Sequence, residues 1–163
     1  MKKRSVHNLS HYHNLTCDMG NLVPVGCFEV LPGDTFNHKT QMLIRTTPLV
    51  SPVMHPVHAK IHHWFVPYRL LWRNWEDFIC NNLDANGAAY VWPHVNLNGA
   101  TESSLADYLG LPGGTWGQSG LSVSALPFRA YAKIYNEWYR DEEHQDETFF
   151  SSASGTDNTT VRS

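Results

Sequence analysis

Between Pro56 and Pro67 the chain alternates. Val57, Ala59, Ile61, His63 and Phe65 fall on one parity, and His58, Lys60, His62 and Trp64 on the other. Period-two alternation sends successive side chains to opposite faces, so the run predicts a half-buried strand. The two prolines bracket it, as expected where a ladder begins and stops. Beyond Pro67 the period changes. Asn74 can cap a helix, Glu76 and Asp77 suit its positive N-terminal end, and Trp75, Phe78 and Ile79 share one face. A helix over 74–80 is predicted, and no active-site motif lies within the whole stretch.

The same patterning extends in both directions. Residues 1–26 are polar and aperiodic and read as an extended arm. Cys27 to Leu31 is a short apolar run closed by Pro32-Gly33-Asp34, a turn signal. Thr35 to Thr47 reads as a strand, with Phe36, Met42, Ile44 and Thr46 on one parity, interrupted by His38 and Thr40. Residues 81–100, rich in Asn, Gly and Ala, read as a loop. Ser104 followed by Asp107 forms a variant capping box, Leu105, Tyr108 and Leu109 make an apolar face, and Gly110 with Pro112 supplies the stop. The longest predicted helix spans 127–142, with Pro127 in its first turn. Phe128, Tyr131, Tyr135 and Trp138 recur along it at three- and four-residue steps. A stripe of this kind is core packing or an interface far more often than a cofactor box. Residues 151–163 hold one aliphatic side chain and read as a flexible polar tail or a loop cut short.

Composition sharpens the picture in one respect. The chain has 163 residues, is 42% hydrophobic, and carries six Trp, seven Tyr and seven Phe, yet only 17% of it is charged. That charge is below the usual quarter, so either much surface is covered by partner subunits or the surface is polar but uncharged. A net charge of −3 excludes a polycation built for nucleic acid. Local charge is uneven: Lys2, Lys3 and Arg4 form a short basic arm that could meet single-stranded nucleic acid, while Asp141, Glu142, Glu143, Asp146 and Glu147 form an acidic cluster that reads as a solvated helix end. Arg69 and Arg73 flanking Trp72 are a second candidate contact, or else arginines laid over a ring. Cys17, Cys27 and Cys80 are widely spaced and read as free thiols. No apolar run reaches the roughly 20 residues of a membrane span, and the basic start lacks the apolar core of a signal peptide.

Ten histidines call for a metal test. His58 and His62 share a strand face but lie roughly 13 Å apart by strand rise, too far for one ion. His62 and His63 point to opposite faces, and His11 with His13 lacks a third ligand. No metal site is expected. No nucleophile elbow occurs, and LPGGTWGQSG lacks the lysine of a phosphate loop. Neither an enzyme nor a cofactor is expected.

Four stretches carry a resemblance: HNLSHYHNLTCDMGNLVPVGCFEVLPGDTF, HPVHAKIHHWFVPYRLLWRNWEDFI, SLADYLGLP and LPFRAYAKIYNEWYRDEEHQD. In that order, from about residue 7 to about residue 147, they resemble the major capsid protein of microviruses, small icosahedral phages with single-stranded DNA, and the gokushovirus-like branch most. Those proteins are several times longer, so only their N-terminal portion is matched. The resemblance implies a mainly β fold with helical insertions, part of an antiparallel eight-stranded viral jelly roll that is incomplete in this chain. On that scheme 1–26 is the arm, 27–150 the first part of the jelly-roll domain and 151–163 the tail. It further implies a structural virion protein, assembled in the host cytoplasm. The protein would join copies of itself and other virion proteins in a T=1 shell around the genome, with no membrane. Trp64, Trp72, Trp75, Phe128, Tyr131, Tyr135 and Trp138 are then candidate subunit-packing residues. The competing reading is a small module that binds single-stranded nucleic acid through Lys2, Lys3, Arg4 and aromatic rings. The expectation for the isolated chain is a partly folded, association-prone N-terminal piece of a subunit.

Overall fold

A computed structural model describes residues 5–97, 100–113 and 121–157. The chain divides into two units, one formed by Met1–Cys27 with Val66–Ser163 and the other by Phe28–Phe65.

The first unit holds all the regular structure among the described residues. Helices α1 (Tyr68–Leu71) and α2 (Trp75–Ile79) follow Pro67, strand β1 spans His94–Leu97, α3 spans Leu105–Tyr108, β2 spans Leu121–Ser124, and α4 spans Leu126–Trp138. The strands pair antiparallel, Val95 opposite Val123 and Leu97 opposite Leu121. This places Val95, Val123 and Leu97 on one parity, and they pack against Leu105, Ala106 and Phe128, with Leu109, Leu111 and Tyr131 closing the cluster. Helix α3 forms where the capping signal lies: Ser104 Oγ accepts the Asp107 N–H at 3.3 Å, and the Asp107 carboxylate accepts the Ser103 N–H at 3.1 Å. Gly110 stops it at φ +86°, a left-handed conformation that a side chain resists.

Three expectations need correction here. The 81–100 stretch is not all loop: HVNL pairs with LSVS, a segment that showed period two over only four residues. Around Asp84 that stretch is ordered too, because one carboxylate oxygen accepts the N–H groups of Asn86 and Ala88 at 2.9 and 2.8 Å. Those backbone bonds, Ala88 first, hold the Asp84 carboxyl below its usual range. Helix α4 ends at Trp138, not 142. Asp141, Glu142 and Glu143 would sit at the negative end of the helix dipole. Asp141 instead starts a separate turn, accepting the N–H of Glu143 on its carboxylate and that of Gln145 on its carbonyl. Finally, the 151–163 segment, expected as a flexible polar tail or a loop cut short, is hydrogen-bonded over 151–157. Its backbone bonds to Arg73 and to His94, and Asp157 is buried. Residues 158–163 lie outside the described residues.

The second unit, Phe28–Phe65, departs furthest from expectation. Neither the 35–47 nor the 57–65 segment forms a paired strand. A strand is a ladder, and its N–H and C=O groups need a partner of matching length; none lies within these residues. The Pro32-Gly33 turn does form: the Asp34 N–H donates to the Leu31 carbonyl at 3.1 Å, with Gly33 at φ +88° as a type II turn requires. The two segments meet at His38 and His63, whose rings stand edge to face 4.4 Å apart, while His38 Nε2 lies 2.6 Å from Thr40 Oγ1. Two paired strands, not eight, are present among the described residues.

Candidate assembly interface

Helices α1 and α2 are short because Trp72, Arg73 and Asn74 break between them, and that break gathers their rings. Tyr68 stands edge to face with Trp75 at 4.7 Å between centroids; Phe78 lies 4.9 Å from Trp72, and Trp75 lies about equally far from Trp72 and Phe78, at 6.1 and 6.2 Å. Trp72 is the inner member, 1% exposed, and its indole N–H donates to Ser154 Oγ at 2.9 Å. Trp75 is half-buried, while Phe78 and Ile79 form an exposed rim. Arg69 and Arg73 are exposed, but the ring between them in sequence is buried, so no base can stack on Trp72 there.

Helix α4 turns an unexpected face inward. Its buried residues are Phe128, Arg129, Ala132 and Asn136, continued by Ala125 at the N-cap. The aromatic stripe lies beside that face. Phe128 is buried, Tyr131 and Tyr135 are half-buried, and Trp138 is 64% exposed. Small residues at 125 and 132 let neighbouring backbone come close, which a ring would prevent. The polar pair is satisfied inside. Asn136 bonds the backbone of Thr148 in both directions, at 2.8 and 2.9 Å. Arg129 Nε donates to Asp157 at 2.8 Å, and its two terminal nitrogens donate to the carbonyls of Leu71 and Ala153. Nothing in the sequence pointed to Arg129 or Asp157. A charged residue beside an aromatic stripe reads as a helix edge, and its partner lies 28 residues away.

Two tyrosines, Tyr108 buried and Tyr131 half-buried, hold the N-terminal arm. The Tyr108 hydroxyl donates to the Thr16 carbonyl at 3.0 Å and the Tyr131 hydroxyl to the Leu22 carbonyl at 2.8 Å. Burial, with Tyr135 nearby, raises the Tyr131 hydroxyl above its ordinary range. Beyond these tethers the arm carries Val6, Leu9 and Tyr12 exposed. Lys2, Lys3 and Arg4 lie outside the described residues.

Of the seven predicted packing residues, the structure brings Trp72 and Trp75 together, and Phe128 and Tyr131 into the α3–sheet cluster. Tyr135 bonds Gln145 at 2.8 Å, and Trp138 faces outward at the end of α4. Trp64 belongs to the second unit, with its ring 6.3 Å from His62. That unit exposes apolar side chains along its whole length, among them Phe36, Leu43, Ile44, Val50, Met54 and Phe65, with Leu43 at 88% and Phe65 at 76%. Patches beyond a few hundred Å² are rare on monomers and mark interaction sites. Among the described residues no three His, Cys, Asp or Glu side chains converge as metal ligands, and no helix is long and apolar enough to cross a membrane.

Comparison with known proteins points the same way. The family model described as "Capsid protein (F protein)" matches residues 1–162. Capsid protein VP1 of Chlamydia phage 1 is 41% identical over 153 residues, which is 88% of this chain and 25% of that protein. Capsid protein VP1 of Bdellovibrio phage phiMH2K is 35% identical over 158 residues, 95% of this chain and 29% of that one. Capsid protein F of Escherichia phage G4 is 26% identical over 147 residues, 90% and 32%. The chain thus spans about a quarter to a third of the length of these relatives.

Proposed function

Because the chain belongs to the capsid protein (F protein) family, we propose that it is a structural subunit, or the N-terminal part of one, of an icosahedral microvirus shell. The role is assembly, not catalysis. Copies of the protein, together with other virion proteins, enclose a single-stranded DNA genome, and the protein resides in the virion. The observation that carries this reading is the exposed, strand-patterned apolar content of Phe28–Phe65. Those residues alternate as jelly-roll strands do, expose the faces such strands bury, and lack ladder partners among themselves. Their partners come from outside these residues, and many weak copies of one contact sum under closed symmetry. Trp64, Trp138 and the Phe78–Ile79 rim are further proposed contact residues.

Sedimentation velocity over a hundredfold concentration range tests the reading. Association that grows with concentration is expected, and Leu43→Asp with Val50→Asp should suppress it. A monodisperse monomer at every concentration, melting in one cooperative transition, would overturn it. The basic residues Lys2, Lys3 and Arg4 are proposed to meet the genome. Their triple change to Ser should weaken oligonucleotide binding and flatten its salt dependence. Binding unchanged by the substitution would remove that assignment.

A further inference from the structure

Residues 151–157 (SSASGTD) bring no large apolar side chain to the fold, yet they are seated between three elements. The Ser152 carbonyl accepts the Arg73 N–H at 3.1 Å, and Ser154 Oγ accepts the Trp72 indole at 2.9 Å. The Gly155 N–H reaches the Val91 carbonyl at 3.3 Å. Gly155 O and Asp157 N bracket His94, accepting from and donating to its backbone at 3.0 and 2.7 Å, the pattern of a parallel bridge. The side chains of Thr156 and His94 meet at 3.1 Å. Arg129 then joins the ends. It binds the Asp157 carboxylate and the Ala153 carbonyl on this segment and the Leu71 carbonyl at the end of α1.

We propose that residues 151–157 are a strap that opens and closes as one unit, with Arg129 as its catch. A segment held by hydrogen bonds, with little apolar burial, belongs to the low-stability end of a fold. Partial release is disfavoured, because a buried guanidinium that loses its carboxylate is left as an uncompensated charge. The strap therefore detaches as a whole or stays. Closed, it covers the Trp72 indole and occupies the outer edge of β1 at His94, guarding that edge from pairing with another chain. Open, it frees both together.

Hydrogen exchange on the full chain, resolved to single amides, tests it. In Asp157→Asn the amides of Arg73, His94, Gly155 and residue 157 should all exchange at least tenfold faster. The α4 amides from Ala130 to Trp138, and the β1–β2 ladder at Val95 and Val123, should keep their protection. Ser154→Ala, which leaves the ion pair intact, should move the same four amides together by a smaller factor. The proposal is overturned if either variant speeds only the amides beside the substitution. It is equally overturned if α4 loses protection in step with the strap, which would make the segment part of one global unit. Should Asp157→Asn fail to fold, Ser154→Ala alone decides the matter: four amides moving together uphold the strap, and a change confined to Ser154 and its neighbours overturns it.

Discussion

Arg129 shows how one side chain can decide what surrounds it. Its guanidinium is 1% exposed and satisfied by one carboxylate and two carbonyls. Removing it alone, as Arg129→Met, leaves Asp157 buried without its guanidinium and should cost about 3–5 kcal/mol; urea denaturation measures the loss, and a cost below about 1 kcal/mol would mean the pair is dispensable. Its role was not legible in sequence, because an ion pair 28 residues apart leaves no local pattern. Tyr131 is the opposite case, since its place on an apolar stripe announced a half-buried ring and only the hydroxyl's partner was hidden. Its raised titration gives a signed expectation. The folded state holds the hydroxyl proton more tightly, so above the ordinary tyrosine value of about 10 the unfolded chain ionises first. The contribution is intact below that pH and is lost as pH rises through the raised folded value. A phenolate cannot donate to Leu22, so cleavage of the arm near that residue by an alkali-tolerant protease should accelerate over that window. Tyr131→Phe should show fast cleavage at neutral pH as well, and a flat profile in the variant at the slow wild-type rate would refute the tether.

At the scale of elements, short-range chemistry was readable and face selection was not. The cap at Ser104, the stop at Gly110 and Pro127 in the first turn of α4 all act within four residues of the feature they set, whereas the helix at 75–79 forms without a side-chain cap from Asn74. The inward face of α4 depended on what approaches it, and its two fully buried alanines, Ala125 and Ala132, lie on that face. Two substitutions separate the faces. Ala132→Leu should overpack a fully buried site at about 1–3 kcal/mol, whereas Trp138→Ser should leave the melting transition within about 0.5 kcal/mol of wild type. The same Trp138→Ser should reduce self-association in sedimentation, because the proposed interface uses that ring. A large thermal loss from Trp138→Ser would return the stripe to the interior. Gly110→Ala should cost about 1 kcal/mol, read in the same melts, since φ +86° disfavours a Cβ even in open space. Strands β1 and β2 left little trace in the sequence because four residues give two turns of the period, too few to stand out from a loop rich in Asn and Gly.

For the whole molecule, family membership was legible because it rests on residue identity in order along the chain, which needs no knowledge of contacts. The strands of Phe28–Phe65 were legible as pattern and absent as ladders, since pairing depends on residues that pattern cannot supply. Expressed alone, the chain should bind a hydrophobic dye and elute as broad, large species, with both signals reduced when Leu43 and Val50 become Asp. A sharp monomer peak with no dye signal would contradict the exposure seen across that unit. The strap has a further consequence, one of timing. Trp72 is made early, yet the serine that closes over its indole comes 82 residues later. At about 5–20 residues per second, the ribosome leaves that indole uncovered for roughly 4–16 seconds in every newly made chain. Arg129, by contrast, waits only 28 residues for its carboxylate. The nascent chain therefore carries a tryptophan-rich patch long enough for a chaperone to find it, and the patch disappears once Ser154 and Asp157 of the strap have arrived.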